Sequence, residues 1–304
     1  MKPAAILVMM LFSLRGLSAA DKLNVVTTLP DLAYIAGEVG GEYVETHAIA
    51  KGYQDPHFVD AKPSFVLKLK DADVFVQVGL DLEVGWVPPL LETARNSKIY
   101  FGGPGYVDAS RGVSLLEVPS VDPARMRAEG DIHVFGNPHY WLDPENGKVI
   151  AKNIADGLSS IMPTKRTEFA DNADQFSARI DSALQVWQQI MAPHKGAKIV
   201  AYHNSWPYFE KRFGIEIIAF IEPKPGIPPP PSHLMSVIRM AQDQAVKAII
   251  ISPYFDDKPA KSIAKRSNAE VVYLSPSVGA TNEVKTYFDL FQSNVTALAK
   301  ALEK

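Results

Sequence analysis

Cysteine is missing from this 304-residue sequence. Its absence excludes disulfides, so a chain bound for an oxidising compartment must hold its fold by core packing alone. The residue on which bacterial lipoproteins carry their lipid is missing with it. Strong charge of one sign is also lacking. The formal net charge of −3 gives no electrostatic reason to expect nucleic acid or an anionic membrane as a partner. Beyond residue 20 no apolar run is long enough to span a bilayer. The glycine-rich turn GGPGY (102–106) lacks the spacing of a dinucleotide or phosphate loop, and neither a G-x-S-x-G elbow nor an H-E-x-x-H pair occurs.

What is present begins with a leader-like segment. Lys2 supplies a positive start, residues 4–12 are apolar, and Ser18-Ala19-Ala20 fits a small-residue cleavage site. Residues 1–20 are therefore expected to be a signal peptide cleaved near Ala20, although Arg15 is irregular there. With no lipid-anchor cysteine, the expected location is the periplasm, as a free soluble monomer. Residues 21–304 are enough for one large domain or two ordinary ones.

Two runs of alternating strand-like and helix-like segments follow. LNVVTT (23–28), YVETHAIA (43–50), DVFVQVG (73–79) and KIYFGG (98–103) read as strands. Helices are expected over 30–41 and 62–72. After a gap the rhythm restarts with strands at 198–203, 215–221, 248–253 and 270–275. Helices there are expected over 232–244, capped by Ser232, and over 282–303. Between the two runs, Phe169, Ala173, Phe176, Ile180, Leu184, Trp187 and Met191 recur at spacings of three and four, the stripe of one continuous helix about 40 Å long. The fold expected is α/β: two parallel-sheet lobes, 21–160 and 195–304, joined by one long helix within 161–194. A single large α/β domain is the alternative. Two segments stand apart: a polar connection at 117–135, and EPKPGIPPPP (222–231), too rich in proline for a helix or a central strand.

Of seven histidines, three share a setting. His57 follows the second strand. His139 lies in GNPHYWLDP, just before a helix start at Asp143-Pro144-Glu145, where Asp143 is a natural cap and Pro144 suits the first position. His203 ends a strand. The carboxyl ends of parallel strands line the ligand crevice of such sheets, and imidazole is the commonest protein ligand for zinc. Taken singly, a histidine near a helix start is more often a hydrogen-bonded structural residue than a ligand. If they are ligands, their second ring nitrogens need oxygen acceptors, and Asp55, Asp60 and Asp143 are near in sequence. His47 reads as structural, His194 as solvated, and His233 as a first-turn helix residue. His133 is a candidate auxiliary metal-capturing residue in the polar connection. The sequon Asn294-Val295-Thr296 falls on a helix and reads as chance.

Taken together, DPHFVDAKPS, NPHYWLDP and AYHNSWPYF resemble, in order, three motifs of the metal-binding receptors of ABC transporters, the zinc- and manganese-uptake substrate-binding proteins. The resemblance spans nearly all of residues 21–304. It implies two α/β lobes bridged by a rigid helix, with metal bound between them by His57 and His139 from one lobe and His203 from the other. It also implies delivery of that metal to a membrane permease, with a metallochaperone as a conceivable second partner. Some members take a fourth ligand from an acid after the last strand; here Ser275-Pro276 stands there, leaving water or Glu222 to fill the place. The nitrogen-rich set points to zinc, with a manganese or iron receptor as the alternative. Two other classes remain: a mononuclear zinc hydrolase, with Glu222 as the base beside a metal-bound water, and a receptor for an organic solute.

Overall fold

The computed structural model describes residues 22–119, 133–224 and 226–304. The expected signal segment 1–20 lies outside these residues, as does most of the polar connection. Two four-stranded parallel sheets organise the chain. In the first, β1 (Leu23–Thr27), β2 (Val44–Ala48), β3 (Val74–Gln77) and β4 (Tyr106–Asp108) lie in the order β2-β1-β3-β4. In the second, β5 (Lys198–Ala201), β6 (Glu216–Phe220), β7 (Ala248–Ile251) and β8 (Glu270–Tyr273) repeat that pattern as β6-β5-β7-β8. The central strands are apolar on both faces because helices cover both: Val25, Val26, Val74, Phe75 and Val76 are wholly buried. In each sheet the chain builds outward to one side and then to the other, and the reversal leaves a crevice at the strands' carboxyl ends.

Nine helices among the described residues complete the layers: α1 (Pro30–Gly40), α2 (Pro63–Lys70), α3 (Val87–Ala94), α4 (Pro144–Ile161), α5 (Arg166–Met191), α6 (Pro207–Phe213), α7 (Pro231–Asp243), α8 (Lys258–Ser267) and α9 (Tyr287–Leu302). Proline stands in the first turn of most of them, where its missing N–H has no intrahelical partner to lose. Asp143 caps α4 by accepting from Glu145 N, and Thr286 and Asp289 form a reciprocal capping box on α9.

Helix α5 has 26 residues and so runs about 39 Å. Its buried residues are the seven of the expected stripe. Trp187 packs on Phe291 with ring centroids 5.2 Å apart, and Phe176 meets Tyr287, so α9 lies along α5. One hydrophobic core runs from the first sheet, past α4 and α5, to one face of the second sheet; a smaller core fills that sheet's other face beneath α7 and α8. Gly147 on α4 lets Tyr287 approach, since a Cβ there would sit 2.6 Å from the ring. The Tyr287 hydroxyl then donates to Trp141 O.

Local expectations fail in four places. KIYFGG is a turn: Gly103 N bonds Tyr100 O and Gly105 N bonds Lys98 O, so the fourth strand forms later, at Tyr106–Asp108. Only Ile99 of that run is buried, while Phe101 is 81% exposed. Helix α3, with Pro88-Pro89 in its first turn, lies in a stretch (80–97) for which no element was expected. Ser232 is not a cap; the helix starts one residue earlier, after Pro230. The last helix begins at Tyr287 rather than 282. Among the described residues no helix is long and apolar enough to cross a membrane.

Candidate metal centre

The three singled-out histidines meet. One ring nitrogen each of His57, His139 and His203 lies within 4.8 Å of the other two. His57 stands in the loop leaving β2, His203 two residues beyond β5, and His139 at the entrance to the short turn Tyr140–Leu142 that feeds α4. Two elements of the first sheet's layer and one of the second thus converge at the carboxyl edge. The seam between the layers is stitched around them. Asp31 at the start of α1 accepts from Ser277 Oγ and from Val278 N (3.0 Å). Trp141 Nε1 donates to Pro276 O. Tyr208 on α6 donates to Asn137 O and accepts from Leu116 N.

Each ring is turned the same way, with Nδ1 bound to an oxygen. His57 Nδ1 lies 2.8 Å from Asp55 Oδ1, His203 Nδ1 2.7 Å from Glu222 Oε2, and His139 Nδ1 2.9 Å from Asn137 Oδ1. The carboxylates can only accept, so Nδ1 carries the proton. The Asn137 amide nitrogen is committed to Asn204 O and Glu117 Oε2, which leaves its oxygen for His139. All three Nε2 lone pairs are therefore presented inward. His139 is 2% exposed, and its Nε2 is buried with no hydrogen-bond partner among the described residues. Such an atom is costly unless something else satisfies it. A divalent cation would do so, and oxygen acceptors behind ligating imidazoles are what metal sites use to fix ring orientation.

His133, the auxiliary candidate, lies against His57 at the edge of this cluster. Its Nε2 lies 3.1 Å from His57 Nε2, and its ring stands 6.0 Å from that of His139. Burial, then the charges of His57 and His203, push the His133 imidazole down to about 3, so it stays neutral. Burial first and the neighbouring imidazoles second hold His139 well below its ordinary value. Burial raises Asp55, but the hydrogen bond and charge of His57 outweigh it and leave the carboxyl lowered. His133 and His139 are thus held neutral, the form a metal requires of an imidazole.

Two readings need correction. Glu222 is no direct ligand in this arrangement: its Oε2 holds the far nitrogen of His203 and its Oε1 accepts from Gly226 N at 2.8 Å. Asp143, offered as an acceptor for a ligand ring, instead caps α4 and pairs with Arg212 through bonds of 2.7 and 2.9 Å. Asp60 is exposed, which leaves Asp55 as the carboxylate behind His57. Ser275 serves the core, exchanging bonds with the buried Asn294, so the sequon cannot accept a glycan. His47 faces Glu45 on β2, and His233 bonds Phe220 O. Asn137 and Glu117 were missed in the sequence; the adjacency of Asn137 to Pro138-His139 was the available signal.

Comparison with known proteins identifies the family and the fold. The sequence profile of the family described as "Zinc-uptake complex component A periplasmic" matches residues 25–301. A manganese ABC transporter substrate-binding lipoprotein, PsaA of Streptococcus pneumoniae, is 27% identical over 299 residues, covering 94% of this chain and 91% of the relative. A metal ABC transporter substrate-binding lipoprotein, ScbA of Streptococcus cristatus, is 25% identical, with both chains covered in full. Among solved structures, one of ZnuA superposes with a TM-score of 0.77 at 24% identity, covering 93% of this chain and 100% of that one. A zinc-bound ZnuA lacking residues 138–173 gives 0.74 at 26% identity, covering 92% and 96%.

Proposed function

This chain belongs to the family of periplasmic zinc-uptake component A proteins, and we propose that the metal it captures is zinc, held by Nε2 of His57, His139 and His203. The family consists of substrate-binding proteins of metal ABC transporters, which hand their cargo to a membrane permease. These are not enzymes, so the hydrolase reading falls.

The observation that carries the zinc reading is the inward turn of three imidazoles whose nearby carboxylates are spent behind them. Manganese prefers oxygen donors, and nitrogen-rich tetrahedral sites suit zinc. Here Asp55 and Glu222 each grip an Nδ1. His133 offers a fourth nitrogen: tetrahedral Zn–N bonds of about 2.0–2.1 Å put donor atoms roughly 3.3 Å apart, near the 3.1 Å between His57 and His133 Nε2. Relatives named for manganese make that ion the second reading.

We further propose that residues 1–20 direct export to the periplasm, where 21–160 and 195–304 act as the two lobes of a monomer about the helix within 161–194. Metal analysis of protein purified from the periplasm without added metal tests the cargo. Zinc at one equivalent is expected, and a manganese-loaded, zinc-free sample would overturn the assignment.

A further inference from the structure

Glu222 uses both carboxylate oxygens, and they serve different parts of the molecule. Oε2 holds His203 Nδ1 at 2.7 Å, both side chains being 8% exposed. Oε1 accepts from Gly226 N at 2.8 Å. Gly226 has φ +74°, a left-handed turn that side chains disfavour, so this N–H is aimed by a glycine. The run Gly226-Ile227-Pro228-Pro229-Pro230-Pro231 leaves from that point and enters α7. Ile227 is 45% exposed, and Pro228, Pro230 and Pro231 are exposed. Consecutive prolines form a stiff polyproline rod. At the far end His233 Nε2 bonds Phe220 O, the last residue of the strand that leads to Glu222. An exposed rigid arm is therefore hooked, at its inner end, to the carboxylate that orients an imidazole of the metal centre.

We propose that Glu222 is a positioning residue that couples this proline arm to His203, so that displacing the arm loosens the second lobe's grip on the metal. The inference rests on the reading of His203 as a ligand. A flexible loop would let Gly226 N drift from Glu222 Oε1, whereas a rod of prolines holds it there until the rod itself is displaced. Losing the Gly226 bond frees Glu222 to swing, and His203 then loses the acceptor that fixes its tautomer. Outer-sphere partners of this kind are worth about 10–100-fold in metal affinity. A contact made on the outside of the protein, such as that of the permease receiving the metal, can in this way reach a ligand without entering the site.

The test compares wild type, Glu222→Gln, the arm variant Pro228→Gly/Pro229→Gly and the combined variant. Zinc affinity is measured by competition with a chromophoric chelator, and zinc release by mixing with excess chelator. Glu222→Gln is expected to weaken zinc roughly 10–100-fold, because one amide oxygen cannot serve both donors. The arm variant, altered only at prolines away from the ligands, is expected to release zinc about tenfold faster, the lower end of the same range. The combined variant should match Glu222→Gln, since the arm acts through that residue. Nitrogen-15 spectra of the His203 ring should show one tautomer in wild type and a mixture in both variants. Wild-type release and a single tautomer in the arm variant would overturn the coupling, as would additive losses in the combined variant. His203→Ala, run alongside, separates the two ideas: wild-type zinc affinity there would remove the ligand assignment itself.

Discussion

His57 and His133 place their Nε2 atoms 3.1 Å apart although 76 residues separate them in the chain. Since His57 Nδ1 donates to Asp55, its Nε2 is a lone pair. His133 can meet that lone pair with its own N–H, or both rings can turn lone pairs to one cation. Imidazole nitrogens held this close suit a borderline cation such as zinc.

The outer connection should therefore contribute a ligand. His133→Ala is expected to weaken zinc by roughly one order of magnitude rather than abolish binding, because water can take a fourth position. X-ray absorption of the zinc-loaded protein checks this: the nitrogen count around zinc should fall by one, with oxygen in its place. An unchanged spectrum would exclude His133 from the sphere.

Removing His139 should be far more damaging. Its Nε2 is buried and faces the other rings. His139→Ala is expected to cost more than the ~10–100-fold typical of an outer partner. His47→Ala, on β2 beside Glu45, is expected to stay within about twofold, as for an ordinary surface change. Chelator competition on both variants reads the contrast.

The joint between layers can be probed by stability. Arg212 reaches across to Asp143, whose side chain is only 9% exposed. Arg212→Ala strands that carboxylate, and breaking a buried pair typically costs about 3–5 kcal/mol. Because Arg212 itself is partly exposed, about 2–3 kcal/mol is expected here. Urea unfolding should show a lower midpoint with an unchanged slope.

Asp31 gives a pH signature of its own. Burial, opposed by bonds from Ser277 and Val278, raises its carboxyl from 3.8 to about 6. The native state therefore keeps this proton over a range in which the unfolded chain has lost it. Stability from this group is full below the unfolded value and falls as pH rises through the folded one. Relative to Asp31→Asn, wild type should lose about 2–3 kcal/mol between roughly pH 4 and 6. A pH-independent difference between the two proteins would contradict the assignment.

Some of this was legible in the residues and some was not. The α5 stripe was readable because helical periodicity is a local property, and each of its seven apolar positions is buried. The central strands were readable for the same reason, as short apolar runs between turn signals. KIYFGG misled because hydrophobicity alone does not say which residues pair: Gly103 and Gly105 close a turn there, and the strand waits for Tyr106. Glu222 was placed near the metal by its position after a strand. Which nitrogen of His203 it faces depends on ring orientation across two adjacent strands, and no spacing encodes that.

The sequence by itself determined the long helix, the central strands, the doubled α/β rhythm and the three histidine motifs, because backbone preference and periodicity act over a few residues. Only the tertiary structure decided that the imidazoles meet, that their carboxylate neighbours stand behind them rather than among them, and that His133 comes to lie beside His57. Those outcomes depend on distances between segments far apart in the chain, and such distances are fixed when the core packs.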